Sequence, residues 1–168
     1  MRGIILPLAA LTAACSAGKT DSSSQANQLT ESTASATQGT SACAVLTQGD
    51  AEKVLGRPAT KLAATGGAAG LDICQYGYQG ERMLDMGTAS VTVHPVDLGS
   101  MKQGVVGEGY KPEPISGIGD QAFWTKEAGL YVGKGNRTGI YIVGIGGATD
   151  AQNKDKAIEL AKSTVSKL

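Results

Sequence analysis

Apolar and polar positions divide the chain into three stretches. Residues 3–14 are apolar or small throughout. Residues 16–42 hold a single large apolar side chain, Leu29, among Ser, Thr, Ala, Gln, Gly and Asn. From residue 43 onward apolar positions recur with the periods of secondary structure. The run from Leu46 to Gly56 predicts a short helix. Thr47 stands at its N-cap, Asp50 and Glu52 lie near its positive end, Gly56 is its stop, and Pro58 forbids continuation. Alternating or β-rich segments follow at 59–64, 72–78 and 88–96, the last blunted by Pro95. A short helix is expected around 98–105. Three more strands are expected at 121–125, 130–133 and 139–145, with turn signals at 127–129 and 135–137. The last element is a helix. Thr149 and Gln152 form a capping box, and Ala157, Ala161, Val165 and Leu168, with Ile158 beside them, make an apolar stripe on a Lys-rich surface.

These elements imply an α+β domain over 43–168, an antiparallel sheet of about six strands with helices packed on one face. Hairpin-length connections argue for antiparallel pairing. The two halves, each a helix followed by three strands, hint at a repeat that residue identity does not support.

The first two stretches predict an address and a spacer. Arg2, an apolar run of about ten residues and small residues before Cys15 have the layout of a secretory signal. The run is far short of the ~20 residues of a membrane-spanning helix. Leu11-Thr12-Ala13-Ala14-Cys15 resembles the lipobox of bacterial lipoproteins. That resemblance implies removal of 1–14 and acylation of the Cys15 thiol, with the bilayer as partner; two or three acyl chains anchor stably where one does not. Ser16 is not the Asp that retains lipoproteins in the inner membrane of many Gram-negative bacteria. In such a cell the expected location is the outer membrane, facing the periplasm. The stretch from Cys15 to residue 42 lacks the apolar area to offset the entropy of ordering it, so it is expected to act as a tether with a reach on the order of 30 Å.

Composition narrows the core and the partners. Aromatic residues are 4% of the chain, so the core must be built from Val, Ile, Leu and Ala. Fifteen basic and fifteen acidic residues cancel, and nothing draws the chain toward nucleic acid. Of three cysteines, Cys15 is assigned to lipid, which leaves Cys43 and Cys74 in an oxidising compartment. A bond between them would close a loop of roughly 30 residues, worth about 3 kcal/mol in the chain-entropy model. Metal binding is the competing reading, weakened by the lack of clustered His partners.

The chemistry-bearing residues are few. His94 is the one histidine, at a strand end without a local carboxylate or Ser, so a His-based triad and a His-built metal site are not expected. No cofactor is expected either. Gly117-Ile-Gly119-Asp-Gln-Ala122 has the form of a dinucleotide fingerprint but leads into a β-like segment. Gly144-Ile-Gly146-Gly147 lies between strand and helix without the ribose-binding acid that should follow; both read as turns. Asp85, Asp97, Glu108, Glu113, Asp120 and Glu127 could supply a carboxylate pair for hydrolysis, but sequence places no two of them together. Asn136-Arg137-Thr138 has the form of a glycosylation sequon and reads as a turn. Phe123, Trp124 and Tyr110, near the Gly-rich 104–120 stretch, are the candidate partner contacts.

Several motifs taken together resemble an uncharacterised family of envelope lipoproteins best known from actinobacteria. They are Cys43-Ala-Val-Leu-Thr47, Val54-Leu55-Gly56, Cys74-Gln-Tyr76, the alternating Val91 and Val93, Gly117-Ile-Gly-Asp-Gln-Ala122, and Leu160-Ala161. The resemblance covers about 43–168. It implies the same fold, the cysteine pairing and the lipid anchor, and it carries no reaction. The functional expectation is a non-enzymatic binding domain on a membrane tether, with an envelope protein as possible partner. An inhibitor or immunity lipoprotein acting on a periplasmic hydrolase through loops 97–120 and 126–129 is the alternative. A carboxylate-based envelope hydrolase ranks third.

Overall fold

The structure, a computed structural model, describes residues 40–65, 71–82 and 84–168. The signal stretch 1–14, Cys15 and nearly all of the expected tether lie outside the described residues. Helical structure begins slightly before residue 43. Ser41 caps α1 (Ala42–Val45), and Ala42 is fully buried. Tertiary packing sets this start, which composition alone does not show. In α2 (Gln48–Leu55) Thr47 and Asp50 close a capping box, and Gly56 takes the left-handed conformation that ends it.

Strands β1 (Thr60–Thr65), β2 (Asp72–Gln79) and β3 (Met86–His94) form a meander. Helix α3 (Leu98–Gly107) follows, capped by Asp97. Then come β4 (Glu113–Ile115), β5 (Gln121–Thr125), β6 (Gly129–Lys134) and β7 (Arg137–Ile145). The chain described ends in α4 (Asp150–Thr164) and a 3-10 turn at Val165–Lys167. All neighbours in the sheet are antiparallel, in the order β1-β2-β3-β7-β6-β5-β4, so β3 and β7 are the central pair.

Period-two alternation gives the sheet two unlike faces. On one, register aligns Trp124, Leu130, Tyr141, Val91 and Cys74 in a row across five strands. Helices α1, α2 and α4 pack over this row, and the main core lies between. Cys43 of α1 is bonded to Cys74 of β2, with the Cα atoms 5.0 Å apart, which fixes the start of the domain to this face. In α4 the buried stripe is Ala157, Leu160, Ala161 and Thr164, and the Thr164 hydroxyl donates to that of Tyr141. Burial pushes the Tyr141 phenol up to about 12.

The opposite face carries the row Phe123, Tyr131, Ile140, Thr92 and Ile73. Helix α3 covers one end of it. Leu98 and Val105 pack on Phe123 and Tyr131, whose rings stack at 4.6 Å between centroids. Gly133 gives the helix its seat, since a Cβ there would come within 2.8 Å of the Leu98 Cβ.

The α+β class, the antiparallel sheet and the disulfide are as the pattern implies. Two particulars differ. The sheet has seven strands; β4 is three residues long and contains Pro114, too little for alternation to show. The helices are not all on one face, because Phe123, Tyr131 and Ile140 point away from the main core and need a cover of their own. Since α2 and α3 lie on opposite faces, a rotation that superimposes β1-β2-β3 on β5-β6-β7 does not superimpose the helices that precede them.

Candidate functional site

The residues singled out by sequence are not brought together. Phe123 and Trp124, adjacent on β5, point to opposite faces. Phe123 is 2% exposed beneath α3, so as a partner contact it is corrected to a core residue. Trp124 is partly buried against the main core under α4, and Tyr110 is half-buried beside Phe123's cluster. Residues 98–107 form the helix expected around 98–105, seated on the sheet, so this part of the 97–120 segment is not a free loop. Residues 126–128 make a tight turn between β5 and β6.

Four of the six carboxylates have structural partners. Asp85 pairs with Arg57, which also lies over the Tyr78 ring at 5.1 Å. Asp97 caps α3, and Glu113 pairs with Lys154 at 2.7 Å. Asp120 accepts from the Gly135 amide at 2.7 Å and faces Lys134. The hydroxyl and amide of Ser100 hold Asp97 below the usual carboxylate range. The Gly135 amide, outweighing the effect of burial, does the same for Asp120. A general acid needs the opposite shift. Among the described residues no group of three or more His, Cys, Asp and Glu is placed to hold a metal. Gly117 and Gly119 have positive φ in the turn before β5, and Gly147 has it in the turn before α4, so both glycine clusters are turns. Asn136 sits in the β6–β7 turn, and Thr138 is fully buried and donates to the Val96 carbonyl.

What the structure offers is a surface that the sequence reading overlooked. Beyond α3, the outer face of β1, β2, β3 and part of β7 has no described element packed on it. Along β3 it presents Met86, Thr88, Ser90, Thr92 and His94; along β2, Ile73, Gln75, Gly77 and Gln79. β7 adds Ile140, Ile142 and Gly144, and β1 adds Thr60 and Ala63. An extra residue in β1, between Lys61 and Ala63, is Leu62. Its side chain lies over Gly77, where a Cβ would come within 2.7 Å of the Leu62 Cδ1. Leu62, Met86 and Ile142 are 55%, 45% and 46% exposed.

None of these positions is Asp, Glu, Lys or Arg, in a chain with 30 such residues. The charged residues at the near end of the sheet belong to the other, helix-bearing side, where Arg57 lies over Tyr78. Arg57 and Asp85 pair beside the β2–β3 connection, where Arg82 lines the same shallow hollow and Leu84 is 72% exposed. On the uncovered face His94 is the one titratable group, and partial burial lowers its pKa from the ordinary histidine range. The signal that could have found the surface is present in the sequence. Met86, Thr88, Ser90 and Thr92 alternate with the buried Ala89, Val91 and Val93, an outward-facing row that is polar or apolar but carries no charge.

A second hollow, of about 390 Å³, lies beyond α3 between Leu98 and Lys102 on one side and the 114–123 segment on the other. It is the place in the fold of the Gly-rich stretch.

Comparison with known proteins gives no match: no family model fits the chain, and neither a curated protein nor a solved structure resembles it significantly.

Proposed function

We propose that this chain is an envelope-tethered binding protein. Cys15 carries lipid after removal of 1–14, the segment up to residue 40 is the leash, and the domain binds a protein partner on the uncovered sheet face without catalysing a reaction. The observation that supports the reading is the composition of that face. The centres of protein interfaces are depleted in charge and bounded by a polar rim. An apolar and hydroxyl-lined face without Asp, Glu, Lys or Arg has the character of such a centre. Nucleic acid would require cations that this face does not present. The inhibitor reading draws its support from loops 97–120 and 126–129, of which 98–107 is a seated helix and 126–128 a tight turn, leaving 108–120 as the loop it would use. The hydrolase reading draws on six carboxylates, four of which, Asp85, Asp97, Glu113 and Asp120, are occupied in a cap, ion pairs and a backbone contact.

Two experiments test this. A photo-crosslinking residue at Thr88 in the living cell should yield a discrete protein adduct, while one at the exposed Glu159 on α4 should not. Equal labelling at both positions, or at neither, removes the support for the face. Intact mass of the membrane-fraction protein should show loss of 1–14 with a gain of acyl mass; loss without gain would sink the lipid anchor.

A further inference from the structure

Resting on that reading, we infer that the partner on the uncovered face is a second copy of this chain. The first argument is shape. Helix α3, ~10 Å thick, stands on one half of the sheet face, and among the described residues no element packs on the other half. The step so formed is as deep as the ~10 Å between two packed sheets. With a two-fold axis parallel to the strands, bare half rests on bare half, and each α3 comes down beside the β1 edge of the other copy. An axis across the strands would drive each α3 into the other sheet. The surface is therefore complementary to itself in one orientation, as an isologous pair requires.

The second argument is charge. In a self-paired face each group meets its own kind or a near neighbour. Lys can only donate and a carboxylate can only accept, so either would oppose its copy. With the axis between β2 and β3, Ser90 of one copy comes opposite Gln75 of the other, and both groups donate and accept. Leu62, Met86 and Ile142 supply the apolar area.

The third is area. Four strands and about seven residues give a footprint of roughly 400 Å². The α3–β1 contacts raise each side toward the ~800 Å² of a standard interface. Pairing through the sheet edges is disfavoured, because β1 carries Lys61 and a bulge, and β4 is three residues long with Pro114.

The test is sedimentation equilibrium of the full-length chain in a density-matched detergent, from about 1 to about 100 µM, the range where weak interfaces of this size dissociate. Reversible dimerisation is expected, weakened at least ~10-fold by Ser90→Lys through like-charge apposition and unchanged by Glu159→Lys. A wild-type chain monomeric throughout, or a dimer indifferent to Ser90→Lys, overturns the inference. Amide exchange on the unaltered chain guards against a misfolded variant. Protection along β1 should rise with concentration, and concentration-independent exchange there is equally fatal. If the chain is monomeric but Thr88 crosslinks to a different protein, this inference fails and the binding reading survives. If there is neither dimer nor adduct, both fail.

Discussion

His94 is a base placed where protonation is disfavoured, and the consequence has a sign. Partial burial depresses its folded-state pKa below the ordinary value near ~6.5, so in the window between the two the unfolded chain binds the proton and the folded chain does not. Stability is therefore unaffected by His94 above that window and falls as pH drops through it. Thermal unfolding followed from about pH 7 to about pH 5 should show a decline that His94→Gln flattens. An equal decline in the variant would assign it to other groups. Gly119 makes a second prediction at this scale. Its φ of +59° and the Gly133 carbonyl oxygen in the path of any Cβ leave no room for a side chain. Gly119→Ala should cost more than ~1 kcal/mol in chemical denaturation. Such residues are visible in sequence only as glycines; the backbone they must approach is set by strands far away in the chain.

Among the elements, α4 is held by both its cap and its stripe. The Thr149 hydroxyl accepts from the Gln152 amide, and the Gln152 side chain accepts from the Thr149 amide at 2.8 Å. Thr149→Ala should lower stability by about 1 kcal/mol, read from the midpoint of denaturation at unchanged slope. Caps of this kind were legible because they depend on residues three apart, and those of α2 and α4 stand where the sequence puts them. Six of seven strands were legible for a similar local reason. In α4 the buried stripe also includes Leu160, because a helix with small apolar residues presents two adjacent candidate faces until a neighbour selects one. The side of the sheet taken by α3 was not legible either. It depends on which way Phe123 and Tyr131 point, and that is a matter of register between strands. The uncharged alternation of β3 is a local sign of the uncovered face, but its extent over four strands depends on cross-strand register.

At the scale of the molecule, the disulfide joins the first helix to the second strand of the sheet across 31 residues of sequence. Closing a loop of that length stabilises by about 3–4 kcal/mol in the chain-entropy model, so Cys43→Ala with Cys74→Ala should lower the unfolding free energy by that order. Reduction of the unaltered protein should reproduce the loss. The bond also has a mechanical meaning. Tension arriving along the chain from residue 40 passes through the sulfur bridge into β2 and then, as shear, across β3 and β7. Beyond the first residues of α1, helix α2 and strand β1 lie off that path and are shielded from the load. In a reducing medium the same pull would meet α1 first and peel the domain from its end, so the oxidised protein should yield at a higher force and with a shorter gain in contour length.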